Sequence, residues 1–218
     1  MGRDIVQRIA HAVTAGLALL PLFGHAGTLE VTLTDARGQP LEGIGIVVDA
    51  PGAVPTSTTR PQAVIDQRHE QFVPRVLIVQ RGTEVSFPNT DRVQHHVYSF
   101  SPAKQFELPL YRGNEHPPVT FDHSGIVVLG CNIHDHMIGY VLVVDSPHFA
   151  FSGHDGRAEF SGLPNDSVKV TVWHPDLGVG YGDINRTVDV GADESRIDVR
   201  IDQTWRPRQE TSLSWNDY

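Results

Sequence analysis

Ile126-Val-Val-Leu-Gly-Cys-Asn-Ile-His-Asp-His-Met-Ile-Gly-Tyr-Val-Leu-Val-Val144 sets two valine-rich runs on either side of a polar bend. Ile126–Gly130 and Ile138–Val144 are short, apolar and β-branched, which favours buried strands over helix. Cys131, His134 and Met137 then fall on one tight loop, where a thiol, an imidazole and a thioether can converge.

Working upstream, Arg75–Gln80, Glu84–Pro88, His95–Phe100 and Pro118–Phe121 are further strand candidates, punctuated by Gly, Pro, Asn and Asp at the spacing of a sandwich or barrel. An all-β fold is expected, and 218 residues leave room for one large or two small domains. Outside this region, Thr28–Asp35 alternates as a half-buried strand does, the turn Ala36–Pro40 follows, and Ile44–Asp49 is a second strand. A similar style returns beyond Pro147, in Gly153–Pro164 and Val168–His174. Neither flank has enough strands to close a core. Residues 28–60 and 146–201 are therefore expected to form one discontinuous sandwich with residues 63–145 inserted, an arrangement tolerated where the ends of the insert lie close together. Two sequential domains are the alternative. Pro51–Pro61 reads as a linker, and residues 202–218 form a tail without a clear pattern. The stretch Thr34-Asp-Ala-Arg-Gly-Gln-Pro-Leu-Glu-Gly43 resembles the first strands of the carboxypeptidase-regulatory-like β-sandwich family.

Residues 1–26 read as a signal peptide. Arg3 and Arg8 precede the apolar run Ala12–Phe23, and the small Gly24 and Ala26 flank His25 as a cleavage site requires. The run is short and broken by Pro21 for a membrane span, so no membrane attachment is expected after cleavage, and the location expected is the periplasm. The formal charge of −9 becomes one unit more negative on losing two arginines and Asp4. Such a surface disfavours nucleic acid and can steer a basic protein partner.

Cys131 is the only cysteine, so an exported chain would hold a thiol that cannot pair internally. Thiolate, imidazole and thioether together suit copper: soft sulfur favours the cuprous state, and imidazole suits both states. Cys-x-x-His alone is ambiguous, because zinc sites use it too. A further donor is sought in Phe87-Pro-Asn-Thr-Asp-Arg-Val-Gln-His-His-Val-Tyr-Ser-Phe100, where strand alternation lets only one of His95 and His96 enter a site.

Gln94-His-His-Val97 and Cys131-Asn-Ile-His-Asp-His-Met137 together resemble the cupredoxins of the plastocyanin and amicyanin kind. That resemblance implies a Greek-key β-sandwich holding one type 1 copper ion on His95, Cys131, His134 and Met137, with Asn89, His96, Asn132 and His136 beside the site or at its rim. The family usually has asparagine where His96 stands. Residues 63–145 as a whole resemble cupredoxin-type methylamine utilization proteins, which implies a redox neighbourhood. The remaining histidines, His69, His116, His123, His148, His154 and His174, are scattered through turns and strand ends and are read as structural or solvated. Leu177–Gly182 lacks the strand-to-helix context of a nucleotide-binding loop.

The expected function is a one-electron carrier serving a redox partner protein, with the electron leaving through His134 and no open metal position for a substrate. The competing function is copper storage, delivery or sensing.

Overall fold

The computed structural model describes residues 27–53, 60–203 and 205, so the expected signal peptide, much of the expected linker and nearly all of the tail lie outside the described residues. Among the described residues the secondary structure is β throughout, apart from one turn of 3-10 helix at Pro175–Leu177. No helix among them is long and apolar enough to cross a membrane.

The first two strands are β1 (Gly27–Asp35) and β2 (Gly45–Asp49). An inner unit follows: β3 (Gln62–Val64), β4 (Asp66–Arg68), β5 (Gln71–Val73), β6 (Val76–Gln80), β7 (Thr83–Ser86), β8 (His95–Ser101), β9 (Lys104–Tyr111), β10 (Val119–Phe121), β11 (Gly125–Cys131) and β12 (His134–Val144). Five strands complete the chain: β13 (His148–Phe151), β14 (Arg157–Leu163), β15 (Ser167–Trp173), β16 (Ile184–Asp189) and β17 (Glu194–Ile201).

Strands from the two flanks share sheets. One is ordered β14-β1-β17 and the other β13-β2-β15-β16. The core between them takes Leu29, Val31 and Leu33 from β1, Ile46 and Val48 from β2, and Val168, Val170 and Val172 from β15. The inner unit packs the sheet β6-β12-β11-β8-β9 against β10-β7-β3, with the β4–β5 hairpin beside them. Its core contains Val85, Val97, Phe121, Val127, Leu129, Val141 and Val143. The fold is all-β, with one sandwich inserted into another. The ends of the insert are drawn together because β2 and β13 are antiparallel neighbours, with His148 opposite Val48. Ser146 fastens the return, donating to the Val48 carbonyl at 2.5 Å and accepting from the His148 N–H at 3.1 Å.

A third apolar layer, Val47, Ile78, Leu142, Val144 and Trp173, seals one sandwich to the other. It explains why β2 is buried on both faces, although a one-sided strand would alternate. Gly45 permits the contact, since a Cβ there would stand 2.6 Å from Ile78 Cδ1. At the same seam the Arg75 guanidinium makes a two-pronged bond to the Asp176 carboxylate at 2.7 and 2.9 Å, with Arg75 Cζ 5.4 Å above the Tyr140 ring.

The strands differ from the sequence reading in two ways. β3, β4 and β5 have three residues each, too few to show a period, and β9 carries Pro109, which is tolerated because β9 lies at a sheet edge. In addition, β12 begins at His134 rather than Ile138: Cys131 pairs with His134 while Gly130 pairs with Ile138, so Asp135, His136 and Met137 form a bulge.

Candidate metal centre

Four side chains meet at one end of the inner sandwich, each for a local reason. His95 opens β8 and points inward at 0% exposure, while the next residue, His96, faces the opposite side of the sheet. Cys131 ends β11 at 3% exposure, and a two-residue turn, Asn132-Ile133, brings His134 back beside it. The bulge in β12 turns Met137 into the same core cluster as Cys131.

The Cys131 Sγ lies 3.7 Å from His95 Nδ1 and 3.7 Å from His134 Nδ1. All three donor atoms lie within 4.8 Å of one another, and no other group of this kind is present among the described residues. Metal bonds of about 2.0 Å to nitrogen and about 2.3 Å to sulfur, opened by about 120°, would set the donor atoms about 3.7 Å apart. Two imidazoles, a thiol and an adjacent thioether also make up the donor set of a trigonal copper site with a weak axial methionine. The residues present therefore fit a single copper ion.

Burial raises the Cys131 thiol pKa, but the His95 side chain, the backbone N–H groups of His96 and Ile133, and the His134 side chain outweigh it, bringing the pKa from its ordinary value near 9 to about 6. A thiol so surrounded is prepared to act as thiolate, the form that binds metal. Burial lowers His95, yet Cys131 and Asp91 more than compensate and hold it above the usual histidine value.

Asp91 is a residue that the sequence reading missed. Its Oδ2 lies 3.0 Å from His95 Nε2 and accepts the Glu70 N–H at 2.8 Å. The carboxylate thereby orients the imidazole, leaving Nδ1 for the cysteine side. An acid four residues before a candidate histidine was the available signal. Asn89 steadies the same turn: its Nδ2 donates to the carbonyls of Val93 and Tyr111, and its Oδ1 accepts the Asp91 N–H.

The other sequence-nominated neighbours stand outside this group. His96 pairs with Glu107 at 2.9 Å. Asn132 is exposed and donates its backbone N–H to the His96 carbonyl. His136 is exposed, with Nε2 3.3 Å from Glu70 Oε2. The His134 side chain is 18% exposed and that of His95 0%, so of the two imidazoles beside Cys131 only His134 reaches solvent. Beside the centre, a groove of about 370 Å³ runs past Tyr98, Phe100 and Val128 to Cys131 and Met137.

Comparisons with family models and with curated proteins find no match. Solved structures similar to this chain include a purple cupredoxin from Nitrosopumilus maritimus, 23% identical, covering 38% of this chain and 99% of its own, at a TM-score of 0.34. A reduced amicyanin variant is 21% identical over 45% of this chain and 99% of its own, at a TM-score of 0.34. A copper-containing nitrite reductase from Thermus scotoductus is 23% identical over 51% of this chain and 28% of its own, at a TM-score of 0.36.

Proposed function

We propose that the protein is an exported, periplasmic type 1 copper protein that carries one electron at a time between redox proteins. The observation that carries this reading is the convergence of His95 Nδ1, Cys131 Sγ and His134 Nδ1 beside the buried Met137. Copper bound there supplies a one-electron couple. The chain supplies rigidity: three of the four donor side chains belong to residues 3% exposed or less, and they stand on paired strands. A site held in this way changes little when an electron arrives or leaves, which suits transfer rather than substrate turnover.

His134 is the edge through which the electron passes, because its ring alone among the imidazole donors reaches solvent. The acidic chain favours a basic partner. The redox neighbourhood implied by the resemblance to methylamine utilization proteins agrees with that role.

The rival role, copper storage or delivery, predicts an ion that exchanges readily. The two are separated by mixing cuprous and cupric samples and measuring electron self-exchange by NMR line broadening alongside copper loss to a chelator. Self-exchange much faster than copper loss supports the carrier. Copper leaving as fast as electrons move contradicts it.

A further inference from the structure

Glu70 reaches the centre from a distant part of the chain. It sits with His69 at the tip of the β4–β5 hairpin, and both have left-handed backbones, with φ of 57° and 50°. Such two-residue turns favour glycine and asparagine, so a histidine and a glutamate there are held against a conformational preference. The surroundings show what holds them. Phe72 is buried against β12 at Gly139, where an added Cβ would stand 3.0 Å from the Phe72 ring. The Glu70 N–H donates to the same Asp91 oxygen that faces His95.

The carboxylate so placed faces two histidines. Its Oε2 lies 3.3 Å from His136 Nε2, and its Oε1 lies 3.7 Å from His134 Nε2. The second distance exceeds a hydrogen bond, so this contact acts through charge. The His134 ring thus stands between a thiol on its Nδ1 side and a carboxylate on its Nε2 side. A carboxylate there favours the ring orientation that turns Nε2 toward Glu70 and Nδ1 toward Cys131.

We propose that Glu70 is a positioning residue that fixes the orientation of the His134 ring before metal binds. The proposal rests on the reading of His134 as a metal ligand. Through Asp91 and Glu70, one hairpin contact would then organise both imidazoles.

The test uses the full chain as wild type, Glu70→Gly and Glu70→Gln. Glycine suits a positive φ and removes the carboxylate, so the turn should survive and the melting temperature should not fall. Ring relaxation in NMR of the metal-free proteins reads how firmly the His134 ring is held. Competition with a chelator reads cuprous affinity. Wild type should show one rigid His134 ring orientation. Glu70→Gly should free the ring and lose roughly tenfold in affinity, and Glu70→Gln, which keeps the side-chain length but not the charge, should lose much of both. A Glu70→Gly protein with a wild-type ring order, or with unchanged affinity, would overturn the proposal. If the wild-type chain takes up no copper, the copper reading fails and the ring order alone decides the role of Glu70.

Discussion

The outer and inner sandwiches bury similar apolar residues, but they place their polar residues by different rules. In the outer one, β1 alternates buried and half-buried positions along almost its whole length, and no group of potential metal donors is found among its described residues. In the inner one, the candidate donors come from β8, the end of β11 and a bulge in β12, and acids from a hairpin and a turn face their imidazoles. The difference separates a fold held by periodicity from a site held by exceptions to it. Mutations should therefore divide into those that cost stability and those that cost metal binding.

The largest expected effect is in the outer core. Leu29 is fully buried, and Leu29→Ala should cost about 3 to 4 kcal/mol of stability in denaturant titration while leaving metal affinity unchanged below the transition. A change in affinity would show that the two sandwiches are coupled.

Arg75→Met should cost about 2 to 3 kcal/mol, because it takes the two-pronged guanidinium bond away from the partly buried Asp176. A loss well under 1 kcal/mol would mean that the apolar seam alone joins the units.

Acid should reach the same seam through His174. Burial drives its pKa down to about 4, against 6.5 in an unfolded chain, with Asp176 opposing the shift and Arg75 adding to it. The unfolded chain therefore binds this proton first. The contribution to stability is full above about pH 6.5 and is lost as pH falls toward 4, by no more than about 3 kcal/mol. His174 Nδ1 also accepts the Asp176 N–H, a role asparagine can take over, so His174→Asn should flatten stability across that window. An unchanged slope would assign the acid sensitivity elsewhere.

Within the inner unit the order reverses. Asp91→Ala should lower copper affinity by roughly 10- to 100-fold, since His95 loses its brace and the Glu70 N–H its acceptor. The smallest effect should be that of Met137→Leu. The protein should keep its visible band, but its reduction potential should rise, because the oxidised ion loses a weak donor. Equal potentials in voltammetry would reduce Met137 to a core residue.

The contrast also decides what was legible in the sequence. The β character of both sandwiches could be read because Leu29, Val31 and Leu33 repeat at the strand period and Ile138–Val144 is a short, β-branched apolar run. Cys131, His134 and Met137 could be nominated because they are close in sequence and chemically distinctive. Glu70 could not be found in that way. It meets His134 across 64 residues, through a hairpin whose strands are three residues each and whose turn lacks glycine. The double burial of β2 was hidden for a similar reason, since Val47 looks outward until Trp173 and Leu142 cover it.

The most direct test of the proposed copper centre is the visible and electron spin resonance spectrum of the copper-loaded full chain, compared with Cys131→Ser. The account predicts one copper per chain, an intense thiolate-to-copper visible band and the narrow hyperfine splitting of a type 1 site, with the band abolished in a Cys131→Ser protein that still folds. A wild-type protein that binds copper without that band, or a serine variant that keeps it, would contradict the assignment of Cys131 as the thiolate ligand.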